Sequence, residues 1–235
     1  MADHLSVGFS NKAREVWTIG IYQTLSGSTG LDSALWKESV APHQGTTNIG
    51  WTVRYNVVVA DFFAFGPTGM YSSTQVLATA PGKQWKVEMD GWERQLFDDG
   101  PAAEPNQIVI RNVSAHMANV GIGMDNVGSV YKRNLPSGAD AQFTVSPTYW
   151  AALFKMPTTG ELIASTVTTE PLILSFEGGS TRIELEAWLV GETLHFGVPS
   201  TGQIVSTPMD VVRARVADQQ QLAADRLQLK ATPSA

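Results

Sequence analysis

The sequence predicts an all-β protein, an antiparallel β-sandwich followed by one C-terminal α-helix, and three observations carry that expectation. The first is an internal echo. Trp17-Thr-Ile-Gly-Ile-Tyr22 leads through Val40-Ala-Pro42-His-Gln-Gly45 to Trp51-Thr-Val53, and Asn119-Val-Gly-Ile-Gly-Met124 leads through Asn134-Leu-Pro136-Ser-Gly138 to Phe143-Thr-Val145. Each passage reads as a strand, a turn built on Pro and Gly, and a second strand, which points to two related β-units in one sandwich or barrel. Convergence on a common β-pattern is the alternative that the echo leaves open. The second observation is a series of short alternating runs, rich in β-branched residues and punctuated by Gly and Pro. The third is a change of composition after Thr207, where Gly and Pro give way to helix formers.

In chain order, a polar lead-in (1–15) precedes the β body (16–205) and the helix (207–230). Val16 to Thr24 alternates around Trp17, Ile19 and Ile21 and suits a half-buried strand. Ser26-Gly-Ser-Thr-Gly30 reads as a loop, and Leu31 to Lys37 as a short strand or one helical turn. Trp51 to Phe65 is a long apolar run that fits one strand or two, buried on both faces near Val57-Val-Val59. Tyr71–Thr79 and Gln84–Met89 follow, separated by the turn pair Pro81-Gly82. Asp98 to Gln107 is expected to be a surface loop between the halves, and Ile108-Val-Ile-Arg111 a strand. Leu162–Val167, Leu172–Phe176 and Arg182–Leu189 continue the β pattern, with Gly178-Gly179 as a hairpin turn between the last two. Leu194-His-Phe196 is expected to be the final strand. Thr207-Pro208 has the signature of an N-cap followed by Pro at the first helical position.

The composition narrows the function classes. A chain of 235 residues buries enough surface to need no staple, and it contains no cysteine, so disulfides, thiolate metal sites and a cysteine nucleophile are excluded. Sixteen basic against twenty-two acidic residues give a net charge of −6, which opposes binding to nucleic acid and to anionic membrane. No transmembrane segment and no secretory signal are visible, so the expected location is the cytoplasm, with non-classical export left open.

Catalytic signatures are missing. His4, His43, His116 and His195 stand in separate segments without metal-ligand spacing, and neither a Gly-x-Ser-x-Gly elbow nor a P-loop occurs. No catalytic residue, metal or cofactor is therefore expected. Aromatic residues near turns are the remaining candidates. Trp92 follows Asp90-Gly91, and Tyr149-Trp150 follow Ser146-Pro147; rings exposed at such places stack on sugars or sit at a lipid interface, whereas plain packing is the competing role. On the C-terminal helix, Met209, Val212, Val216, Ala223 and Leu227 fall near one face, a thin stripe that docks either on its own sandwich or on a neighbouring subunit.

A family resemblance joins these pieces. Trp17 with Tyr22-Gln-Thr-Leu25, then Leu35-Trp36, Gly50-Trp51-Thr-Val with Tyr55-Asn56, Val120-Gly-Ile-Gly-Met124 and Pro147 with Tyr149-Trp150 resemble the rhizosphere-expressed RhiA family over most of residues 15–200. The helix from Met209 is outside the pattern. The resemblance implies a small soluble bacterial protein under quorum-type regulation, with no established activity or catalytic residues to carry over. Three readings follow. The first is a non-enzymatic sandwich that self-associates into a homo-oligomer or polymer. The second is a glycan- or lipid-binding module, and the third an enzyme whose site is assembled from scattered residues.

Overall fold

The computed structural model describes residues 4–26, 28–65, 68–155, 157, 159–163, 167–176 and 178–231, without the side chains of residues 65 and 222–231. The N-terminal part holds β1 (His4–Asn11), β2 (Trp17–Leu25), β3 (Asp32–Ser33), β4 (Lys37–Ala41) and β5 (Thr46–Thr52). The middle holds β6 (Tyr55–Phe65), β7 (Thr68–Ala78), β8 (Lys83–Asp90) and β9 (Glu93–Pro101). Then come β10 (Gln107–Asn112), β11 (Ala118–Met124), β12 (Val127–Leu135) and β13 (Asp140–Thr144). The chain ends with β14 (Pro147–Phe154), β15 (Leu172–Leu174), β16 (Arg182–Val190), β17 (Thr193–Val198), β18 (Gln203–Pro208) and α1 (Met209–Ala231).

Four sheets make two sandwiches of the same topology. In the first, the sheet β18-β17-β16-β1-β5 packs on β15-β14-β2-β4; in the second, β9-β8-β10-β13 packs on β7-β6-β11-β12-β3. The match extends to strand direction. All pairs are antiparallel except β1–β16 and its counterpart β10–β8. The first core gathers Phe9, Trp17, Trp51, Leu153, Leu185 and Phe196, and the second Val59, Val87, Leu96, Ile110, Val120 and Phe143. The echo in the sequence is thus a true structural repeat, but each sandwich combines strands from both copies: β1, β2, β4 and β5 pair with β14–β17, while β6–β9 pair with β10–β13.

Residues 34–36 tie the two sandwiches together. The Ala34 N–H donates to the Ser129 carbonyl of β12 (2.9 Å), and the Trp36 N–H donates to the Ile21 carbonyl of β2 (3.0 Å). The Trp36 indole donates to the Met124 carbonyl of β11 (3.1 Å). Because successive side chains of an extended segment point opposite ways, Ala34 joins Val58, Tyr71 and Tyr131 on one side, and Leu35 joins Tyr22 and Phe154 on the other.

Several elements differ from expectation. The polar lead-in forms β1, a strand between β16 and β5, whose Val7 and Phe9 enter the core while Ser6 and Ser10 do not. Leu5, Val7 and Phe9 do alternate with Ser6, Gly8 and Ser10, but the run holds only three apolar residues among small polar ones and is easily taken for a polar lead-in. The run from Trp51 breaks at Val53-Arg54, where the chain leaves one sandwich for the other; both flanking strands are core strands, so hydrophobicity does not mark the break. Asp98 to Pro101 complete β9 instead of opening a loop, and Pro101 is tolerated because β9 is an edge strand. Gly178-Gly179 does turn the chain, but between two sheets; the hairpin partner of β16 is β17, joined at Gly191. Within Leu162–Val167, Leu162 forms an isolated bridge to Ala34 and donates its N–H to the Gly69 carbonyl (2.9 Å) in place of a regular strand, and residues 164–166 lie outside the described residues. β17 is followed by β18, which absorbs Thr207-Pro208. The Thr207 hydroxyl accepts the Glu170 N–H (3.3 Å), so it bridges to the neighbouring sheet and the helix begins at Met209.

Candidate functional site

The most exposed large apolar side chain among the described residues is Trp92, 98% accessible at the tip of the β8–β9 hairpin. Gly91 before it has φ 62°, a left-handed conformation that closes a tight hairpin without a Cβ penalty. Along β9 the side chains alternate. Leu96 is buried in the second core, and Arg94, two residues earlier, projects to the same face. Its Nε is buried without a hydrogen-bond partner.

Opposite β9 stands β7, the other edge strand of this sandwich. Val59 pairs with Gln75 and Ala60 with Ser73, so Thr74 is the extra residue of a β-bulge. Bulges re-aim side chains and are common beside functional sites. The Gln75 side-chain oxygen accepts the Leu96 N–H (2.6 Å), bridging the two edges. Together Asp61, Thr74, Gln75, Trp92, Arg94 and Gln95 line much of a groove of about 350 Å³, with Val59 at its base and Glu93 beside the indole. Its wall is polar and its rim aromatic.

The same place in the first sandwich is filled. Register aligns Arg94, opposite Met89, with Leu194, opposite Leu189, and Trp92 with Glu192. There α1 docks. The Met209 N–H donates to the Glu192 carbonyl (2.9 Å), Arg213 meets Glu192 (3.4 Å), and Arg215 pairs with Glu170 (2.7 Å). Gln219 donates to the Thr168 hydroxyl (3.0 Å). Met209 and Val212 are core residues of the first sandwich, Val212 only 1% accessible, and Val216 packs on the same core. Of the two placements expected for the helical stripe, on its own sandwich or on a neighbouring subunit, the fold shows the first over Met209, Val212 and Val216. The side chains of Ala223 and Leu227 lie outside the described residues.

The other aromatic candidates are not on a loop. Tyr149 and Trp150 belong to β14. Tyr149 is 8% accessible, packs against Trp51 with ring centroids 5.2 Å apart, and its phenol is pushed up to about 12 by burial. Trp150 stacks on Tyr22 and donates its indole N–H to the Thr24 hydroxyl (3.0 Å). Ser146-Pro147 does not end the β structure; it starts an interior strand at its first residue, where Pro is allowed.

Sequence reasoning pointed to Trp92 as an exposed ring at a turn, which it is, and did not pick out Arg94, Asp61, Thr74 and Gln75 beside it. One signal was present: Gly91-Trp-Glu-Arg94-Gln-Leu96 runs parallel to Gly191-Glu-Thr-Leu194-His-Phe196, which puts an arginine at a core-facing position. Among the described residues no group of three or more His, Asp or Glu is placed to hold a metal, and no helix is long and apolar enough to cross a membrane.

A sequence model of the RhiA family matches residues 2–191, ending before β17, β18 and α1. No curated protein matches the chain.

Proposed function

The chain belongs to the RhiA family, and from the groove at its second sandwich we propose that it is a carbohydrate-binding β-sandwich protein whose ligand stacks on Trp92. The observation that supports this most is the full exposure of that indole above a polar cleft. Leaving a large apolar side chain in water forgoes roughly 1.5–3 kcal/mol relative to burying it. The hairpin does not require it, since Gly191-Glu192 closes the equivalent turn with a carboxylate. A flat ring beside hydrogen-bonding groups is the arrangement that reads a sugar: its face meets the C–H surface of the pyranose, and Arg94, Thr74 and the carboxylates meet the hydroxyls.

On this reading the protein binds and does not catalyse. The test is a glycan array probed with the full chain, followed by titration of tryptophan fluorescence with each hit. Six of the seven tryptophans are buried or half-buried, so a ligand at Trp92 perturbs mainly one emitter. Saturable quenching that disappears in Trp92→Ala supports the function, and a silent array sinks it.

A further inference from the structure

We infer that the Trp92 groove selects uncharged sugar units presenting adjacent hydroxyls and rejects uronates and sulfated sugars; the inference rests on the carbohydrate reading above and specifies its ligand. It follows from which polar groups in the groove lack partners. The half-buried Arg94 guanidinium lines the cleft and forms no hydrogen bond or ion pair among the described residues, and its Nε–H lies buried without an acceptor. Asp61 and Glu93 line the same cleft, form no ion pair among the described residues, and as carboxylates can only accept.

A hydroxyl answers both needs at once, because it accepts from the guanidinium and donates to a carboxylate. Two adjacent hydroxyls would span Arg94 and one of the acids, with the Thr74 hydroxyl, which donates to the Val59 carbonyl (3.3 Å) and is left to accept, as a further partner. The carboxylate of a uronate or the sulfate of a sulfated sugar offers Arg94 an acceptor but, unlike a hydroxyl in its place, has no proton to donate to Asp61 or Glu93. It also brings a negative charge into a cleft lined by two carboxylates and one guanidinium. A cationic amine has the opposite fault, since it satisfies the acids and leaves the arginine donor buried and bare.

The first sandwich supplies an internal control. Where Arg94 faces the second groove, Leu194 stands in the first and is buried beneath the start of α1. Leucine is therefore compatible with this strand position, so Arg94→Leu should fold and yet lose the donor.

The experiment titrates the full chain with neutral gluco-, galacto- and manno-oligosaccharides and with oligosaccharides of the matching uronic acids. The expected result is binding of a neutral series, with its uronate counterpart weaker by about tenfold or more, equivalent to about 1.4 kcal/mol. Asp61→Asn with Glu93→Gln should narrow that gap, and Arg94→Leu should weaken the neutral ligand. Uronates binding as tightly as neutral sugars would overturn the inference and leave the carbohydrate reading intact. Absence of binding by every saccharide would overturn both.

Discussion

Asn11 and Asn112 hold the same post in the two sandwiches. The Asn11 side-chain amide donates to the Glu15 and Ala41 carbonyls (2.8 and 3.0 Å), and its oxygen accepts the Ala13 N–H (3.1 Å). The Asn112 amide donates to the His116 and Leu135 carbonyls (both 2.8 Å), and its oxygen accepts the Ser114 N–H (3.1 Å). Each ends the strand that pairs in parallel, Asn11 opposite Ala187 and Asn112 opposite Val87. Both are fully buried, so each satisfies loop carbonyls that water cannot reach.

Asn11→Ala and Asn112→Ala should each destabilise the fold by about 2–4 kcal/mol, the cost of stranding several buried backbone groups. Urea denaturation of the two variants checks this. A large loss in one and none in the other would mean that the two copies are not mechanically equivalent.

Trp92→Ala should leave stability within about 0.5 kcal/mol of the parent, as for surface substitutions generally, while removing ligand binding. Thermal melting paired with a binding titration separates the two effects. A marked drop in melting temperature would mean that the indole packs on something.

Val212→Asp should lower stability by more than about 3 kcal/mol, because it buries an unpaired charge in the first core. Denaturant unfolding reads the loss, and light scattering on the same sample reports whether particle mass changes with it. A variant of parental stability and reduced mass would favour docking of the helix on a second chain.

Leu35→Ala should cost about 2–5 kcal/mol, since the side chain fills the space beside Tyr22 and Phe154 where the sandwiches meet. If the sandwiches unfold separately in this variant, calorimetry will show two transitions.

All five tyrosine phenols titrate above the ordinary value of 10, each raised chiefly by burial: Tyr22 and Tyr149 to about 12, and Tyr55, Tyr71 and Tyr131 in the same direction. Tyr71 is held further by donating to Asp32 (2.5 Å). Because the folded state keeps its protons longer than the unfolded chain, this contribution to stability is complete below pH 10. It is lost as the pH rises toward about 12. Tyrosinate absorbance should therefore stay low at pH 10 and rise together with loss of the native circular-dichroism signal. Early, non-cooperative ionisation would show that a phenol is open to water.

Sequence alone determined what depends on local order. Alternation and Pro-Gly punctuation set the β class, the echo announced two related units, and Asp90-Gly91 placed Trp92 at a turn. Each is a property of neighbouring residues, and each stands in the fold. β1 escaped notice because its alternation, Leu5, Val7 and Phe9, is only three apolar residues long, and the side chain at 94 reads as surface until its strand is aligned with the one bearing Leu194.

Tertiary structure decided the rest. Nothing local says that β1, β2, β4 and β5 share their sheets with β14–β17 rather than with the β6–β9 segment that follows them, because strand partners are chosen by burial and register across the whole chain. The same holds for α1, whose thin stripe completes the first core where Met209 meets Leu194 and Trp17. Once the helix closes one groove, the repeat is no longer symmetric. The second groove carries Arg94 in place of leucine, and a guanidinium whose Nε–H lacks an acceptor suits a hydrogen-bonding partner better than an apolar helix face.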